Sequence, residues 1–309
     1  MPSMKAIKRR RSTVKNIQQI TKAMNLVATS KLQRARNNLA VVTHPTLAVF
    51  DMTYNTINSM EAQEQPFIAP RKEVRTTAYV LITSNRGLCG SYNSAVCKEL
   101  LKHAKEHGKN PLIIPIGSRG RDYFRRRNFN LVELPNLAVD PPTYKEASDV
   151  ADELMFMYES GKIDEVYLVY TKFMTILNQE PVVKPLLPLN ADFLRKVLGV
   201  DLSPDESWED LGFFKRPESR HSSSVEVEYD PGLEEVIAGV IPWYLGTYMN
   251  AAMASSVLCE QASRMTSMDS ATNNATDIIE KLTLMFNRQR QSIITQEITE
   301  IVSGANALQ

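Results

Sequence analysis

ATDIIEKLTLMFNRQRQSIITQEITEIVSG, residues 275–304, decides the fold of this chain. Ala275, Ile278, Ile279, Leu282, Met285 and Phe286 recur at helical spacing and form one apolar stripe. A polar gap from Asn287 to Gln291 interrupts it, and Ile294, Ile298, Ile301 and Val302 then resume it. Traced backwards, the helical pattern reaches Asp230-Pro231, an N-cap residue followed by proline at the first helical position. Pro242 is expected to bend the early part. A helix of roughly 70 residues is more than about 100 Å long, so it needs a partner of similar length.

The opposite end of the chain offers one. Residues 3–60 contain one proline, Pro45, and no glycine. Val14, Ile17, Ile20, Met24 and Val27 recur at spacings of three and four, and Ala23, Ala28 and Ala35 allow close approach. Pro45 is expected to kink or interrupt this helix. Two long terminal helices, each with an imperfect seam, predict an antiparallel coiled coil. The seam includes Thr21, Lys31 and Asn38, so it is not a self-sufficient zipper, and other subunits are expected to sheathe it.

Between the helices the period changes. Residues 78–83, 112–116 and 166–170 are apolar runs that read as buried strands. Residues 91–107, 118–127 and 144–160 read as the helices between them. The alternation predicts a largely parallel sheet. Residues 182–189 add a last strand that their prolines demote to an edge or loop. The fold class is therefore α/β plus coiled coil. Two long antiparallel terminal helices, at 1–60 and 229–309, flank a central Rossmann-like α/β domain of mostly parallel strands at 75–190. Residues 191–228 form an irregular insertion with a short helix near 192–198.

The whole chain has 309 residues, 43% hydrophobic and 23% charged, which suits a soluble folded protein. No apolar run approaches the roughly 18 residues that a membrane helix needs. Met1-Pro2-Ser3-Met4-Lys5 lacks the apolar core of a signal peptide. The formal charge of +1 conceals an asymmetry: residues 1–50 hold ten Lys or Arg and no acid. That arm is expected to meet an anionic partner, with Lys5, Lys8, Arg9, Arg10, Arg11 and Lys15 as its cationic face. A nucleic-acid-binding coiled coil is the alternative reading. No aromatic residue precedes Phe50, so the stacking platforms of a single-strand binder are missing.

No catalytic, cofactor or metal site emerges. The loop from Ser84 to Asn93 follows a strand and precedes a helix, but its glycines match neither the dinucleotide fingerprint nor the P-loop. It reads as a tight turn. Cys89, Cys97 and Cys259 have no metal-ligand spacing and read as structural thiols. His103 and His107 lie one turn apart without an obvious third ligand. Glu297 and Glu300 share a helix face beside Gln291, Thr295 and Gln296, a set better suited to hydrogen-bonding a partner than to acid–base work.

Three blocks of this sequence resemble the gamma subunits of F-type ATP synthases. The first is Ile20-Thr21-Lys22-Ala23-Met24 with Val27-Ala28 and Lys31. The second is Arg86-Gly87-Leu88-Cys89-Gly90 with Asn93. The third runs from Arg264-Met265 through Ala271-Thr272, Asn274-Ala275, Asn287, Arg290-Gln291 and Ile294-Thr295-Gln296-Glu297 to Glu300-Ile301-Val302-Ser303-Gly304-Ala305. The blocks keep the family's order and span essentially the whole chain. Asn85, Arg11 and Ile17 depart from the family's commonest residues. The resemblance implies a non-catalytic rotor shaft inside a ring of alpha and beta subunits, with its foot on the epsilon subunit and the c-subunit ring. Ion flow through the c ring would turn the shaft and drive ATP synthesis on the beta subunits. The resemblance also implies contacts to the beta subunits at Met24, Arg264, Gln291, Thr295, Glu297 and Glu300, an acidic beta segment facing the cationic arm, and a bearing around the C-terminal tip. No chloroplast-type thiol switch is present. The implied location is the cytoplasmic face of a bacterial inner membrane, with membrane association only through partners.

Overall fold

A computed structural model describes residues 3–57, 65–107, 110–134, 143–198 and 232–307. Helix α1 spans Met4–Ile57. Then come β1 (Thr77–Ile82), α2 (Tyr92–Glu106), β2 (Leu112–Ile116), α3 (Ser118–Arg125) and β3 (Asn130–Leu131). After them follow α4 (Tyr144–Glu159), β4 (Glu165–Phe173), β5 (Gln179–Leu187), α5 (Ala191–Leu198) and α6 (Leu233–Ala307). Both expected prolines lie inside their helices, Pro45 in α1 and Pro242 in α6, and neither ends one. The N-cap expected at Asp230-Pro231 lies outside the described residues, as do residues 199–228 of the expected insertion 191–228, whose short helix near 192–198 is α5.

The chain forms two compact units. One holds residues up to Ser30 together with those from Arg264 onward; the other runs from Lys31 to Ser263.

In the first unit α1 and α6 run antiparallel. Gln18 Nε2 donates to Thr276 Oγ1 at 2.7 Å, Thr272 Oγ1 to Thr21 Oγ1 at 2.8 Å, and Asn25 Nδ2 to the Met265 carbonyl at 3.0 Å. Over residues 3–30 the only positions not exposed are 4, 7, 11, 14, 18, 21, 25 and 28. Their alternating three- and four-residue spacing is the heptad of a coiled coil. This corrects the stripe read from sequence. Of Val14, Ile17, Ile20, Met24 and Val27, only Val14 lies in the seam. Ile17, Ile20, Met24 and Val27 are 48%, 58%, 36% and 58% exposed. The seam is built instead from Ile7, Arg11, Val14, Gln18, Thr21, Asn25 and Ala28. The same revision holds on α6. Ala275, Leu282 and Phe286 face inward, with Ala275 and Leu282 buried, whereas Ile278 and Met285 are exposed. Small and polar side chains let two backbones approach and hydrogen-bond across the seam, which bulky apolar ones would prevent.

In the second unit the sheet order is β3-β2-β1-β4-β5. β1 pairs in parallel with β2 and β4, β2 in parallel with β3, and β5 closes the edge antiparallel to β4. As the central strand, β1 is buried at all six positions. Tyr79, Leu81, Ile113 and Val169 pack with Val96, Cys97 and Leu100 of α2 and Phe124 of α3. The prolines of β5 sit on the edge, where a missing N–H costs no ladder bond.

The inner part of α6 is buried nearly all round from Tyr244 to Ala262. Phe50 of α1 lies against Tyr244 and Tyr248, with ring centroids 4.9 and 5.2 Å away. Ser255 Oγ donates to the Thr171 carbonyl of β4 at 3.1 Å, and Gly246 lies beside Tyr144 and Ser148 of α4. Ala251, Ala252, Ala254, Ser255 and Ser256 are the small residues this close contact needs. Each fully buried aromatic here contributes about 2–3 kcal/mol.

Candidate functional site

Met24 sits on the outward stripe of α1, in line with Ile17, Ile20 and Val27. Four large apolar side chains at spacings of three, four and three make a second face that no described residue of this unit covers. A run like this on a helix already paired along another face marks a contact surface for a further protein. Beyond Phe286, whose ring lies 5.3 Å from the Arg11 guanidinium, the pair approaches its end. Up to residue 303, Ile293 is the last partly buried residue of α6, and every residue from 294 to 303 is exposed. Ile294, Ile298, Ile301 and Val302 therefore project on a single helix with no second helix beside it among the described residues.

Thr295, Glu297 and Glu300 belong to this projecting segment and Gln291 lies one turn before it; all four are exposed, and Glu300 accepts a hydrogen bond from Gln296 Nε2 at 2.9 Å. Arg264 is half-buried at the other end of the paired segment. A straight helix separates Arg264 from Gln291 by about 40 Å. The structure thus brings Met24 and Arg264 to one level of the shaft and the other four residues to another, rather than all six into one patch.

Of the cationic set, Lys5, Lys8, Arg9, Arg10 and Lys15 are exposed. None of the five has an ion pair among the described residues. Arg11 is different: it occupies a seam position over Phe286, so its role is packing within the pair.

The strand order reverses between β1 and β4, the place where open α/β sheets commonly take ligands. Here the crevice is filled. Ser84 N donates to Asn93 Oδ1 at 2.9 Å, and Asn93 Nδ2 donates to Ser84 Oγ at 2.8 Å and to Cys89 Sγ at 3.1 Å. Cys89 and Tyr92 pack with Cys259 of α6 and with Phe173. The α2 N-terminus that would hold a phosphate carries buried Tyr92 instead. Leu88 is the loop's exposed tip, held at φ 64°. Burial pushes the Cys97 thiol up to about 12 and the Cys259 thiol higher still, which keeps both protonated and unreactive.

His103 joins the core edge rather than a metal. Its Nδ1 lies 3.1 Å from Tyr79 Oη and its ring centroid 4.6 Å from that of Tyr167. No group of three or more metal-ligating side chains occurs among the described residues. Burial, and then neighbouring His107, lower the His103 pKa below its ordinary 6.5. The folded state therefore favours the neutral ring. That contribution is complete above the ordinary value and is lost as pH falls through it towards the folded value. Thermal melts at about pH 8 and about pH 5 should show a larger acid destabilisation for the parent than for His103→Gln. Equal losses would remove His103 from the account.

The family model for ATP synthase matches residues 3–308. The ATP synthase gamma chain of Alkaliphilus metalliredigens is 38% identical over 306 residues, covering 99% of this chain and 98% of the relative. That of Brevibacillus brevis is 35% identical over 307 residues, covering 98% of each. That of Desulforamulus reducens is 35% identical over 309 residues, covering all of both. Among solved structures, a chain of the Euglena gracilis mitochondrial ATP synthase, in an assembly of OSCP, F1 and c-ring, has a TM-score of 0.64 at 16% identity, covering 99% of this chain and 94% of that one. A chain from the central stalk and c-ring of the Tetrahymena thermophila enzyme has a TM-score of 0.57 at 24% identity, covering 82% and 99%. At these identities the structural likeness speaks to the fold.

Proposed function

The chain belongs to the ATP synthase gamma-chain family and is a central-stalk subunit, and from that premise we propose how its surfaces work. The helix pair stands within a ring of alpha and beta subunits. The outward stripe of Ile17, Ile20, Met24 and Val27 and the exposed cations from Lys5 to Lys15 touch the ring's inner wall. Met24 and Arg264 form one contact level with the beta subunits; Gln291, Thr295, Glu297 and Glu300 form a second. The projecting segment from Ile294 to Val302 turns in an apolar collar. The α/β unit forms the foot, on the epsilon subunit and the c-subunit ring, at the cytoplasmic face of a bacterial inner membrane. Ion flow turns foot and shaft together.

The observation that carries this reading is a helix pair whose second apolar face is left open. A shaft that slides needs contacts without one locked geometry. Exposed ion pairs, worth about 0–1 kcal/mol each, and apolar surface, which is non-directional, supply such contacts. The chain itself contributes no nucleotide chemistry on this reading, since Tyr92 and Cys259 fill the crevice at the sheet's switch point. The test is reconstitution. ATP hydrolysis is measured for the purified chain, for alpha and beta subunits together, and for all three. Turnover is expected to be absent from the chain alone and to become coupled to rotation only in the ternary mixture. Hydrolysis by the isolated chain would overturn the non-catalytic role.

A further inference from the structure

Between α4 and the first turns of α6 lies a groove of about 450 Å³. We propose that it docks a partner segment in which an apolar side chain is flanked by lysines or arginines. The inference concerns the α/β unit alone and stands whether or not the chain turns.

The groove is apolar within: Phe67, Phe156, Ile237 and Ile241 line it. Its wall at residues 65–67 is fixed, because Phe67 stacks on Tyr158 at 5.6 Å and its carbonyl accepts from Leu189 N at 2.7 Å. Phe156 is 57% exposed and Trp243, next along from the lining Pro242, is 46% exposed. Large aromatics left open beside a hydrophobic groove mark a docking surface.

The charge around it has one sign. Every charged residue lining the groove is acidic: Asp152, Glu159 and Glu234. Helix α4 carries five acids against one lysine, and from Leu233 to Ser263 there is no Lys or Arg. Glu159 ends α4, whose last turn has no basic residue although the helix dipole favours a cation there. The Lys162 ammonium lies 5.5 Å from the Phe156 ring centroid, so that ring already accepts a cation. A negative rim repels nucleic acid and anionic lipid, and attracts a basic, apolar segment of protein.

The test uses the full chain and a fluorescein-labelled synthetic peptide of lysine, leucine and phenylalanine, with the same peptide carrying glutamate for lysine as comparison. Anisotropy is expected to show saturable binding of the lysine peptide alone. Asp152→Lys with Glu159→Lys should weaken it by about tenfold or more. Phe156→Ser should do likewise while the thermal melt stays put, since that ring is largely exposed. Binding that survives either change overturns the proposal. Residues 213–216, Phe-Phe-Lys-Arg, lie outside the described residues and share the chemistry asked of the partner. A lysine peptide that binds only after Phe213→Ser and Phe214→Ser means that the chain fills its own groove, which also overturns it. In membranes, a benzophenone amino acid at position 156 should cross-link a basic, apolar peptide of another subunit. A cross-link to an acidic peptide or to a second copy of this chain counts against the assignment.

Discussion

Gly117→Ala should cost the α/β unit more than about 4 kcal/mol, enough to abolish its folding in most hosts. Gly117 joins β2 to α3 at φ 108°, a backbone region that a side chain strains. A Cβ there would stand 2.1 Å from the Thr83 carbonyl oxygen and 2.7 Å from its carbon. The neighbour cannot move away. Thr83 N donates to the Ile116 carbonyl at 2.8 Å, and its Oγ1 accepts from Gly120 N at 2.9 Å. Main chain meets main chain, so no rotamer change relieves the clash. Gly239 offers the comparison: it lies inside α6 with nothing within 4 Å of its would-be Cβ. Gly239→Ala should therefore stabilise the chain by about 0.5–1 kcal/mol through helix propensity. Urea titrations followed by circular dichroism measure both. A Gly117→Ala midpoint equal to the parent's would mean that the β2–α3 turn has another backbone in solution.

The centre of the sheet was legible because β1 is buried on both sides. Runs such as Tyr79-Val80-Leu81-Ile82 have no polar face to confuse with anything else, and the prolines of β5 marked it as an edge. The two-residue β3 carries too little pattern to read. The helix pair was legible as a pair but not as a seam. Periodicity finds an apolar face; it does not say which of two faces meets the other helix. In α1 the richer face, Ile17 to Val27, looks outward, while Gln18, Thr21 and Asn25 look in. On the proposed function α1 serves two partners and turns its bulk towards the one outside the chain, which a single sequence does not reveal. A usable signal was present in α6: residues 236–259 contain no charge at all, as a helix buried on every side requires. Nine of the twelve candidate contact residues were legible as exposed polar or cationic positions; Met24 is apolar, Arg264 is half-buried, and Arg11 lies in the seam. Its seam position follows from the heptad phase set by Ile7 and Val14, a phase the apolar count had assigned to the wrong face.

That division of faces predicts opposite outcomes for residues one position apart. Ile17→Gln, Ile20→Gln and Val27→Gln together should leave the melt of the isolated chain within about 0.5 kcal/mol of the parent, because these side chains already face solvent. In a reconstituted complex the same chain should bind the ring of alpha and beta subunits at least about tenfold more weakly, since each lost apolar contact is worth about 1 kcal/mol or more. Ala28→Leu should do the reverse. Ala28 is fully buried in the seam, so added bulk forces the helices apart and costs the isolated chain about 1–3 kcal/mol. Its outward stripe remains intact, and the binding it retains follows whatever fraction stays folded. The pair of measurements separates stability from partner contact without knowing the partner's structure. If the glutamine variants destabilise the free chain as much as Ala28→Leu does, the outward stripe packs within the chain, and no surrounding ring is needed to explain it.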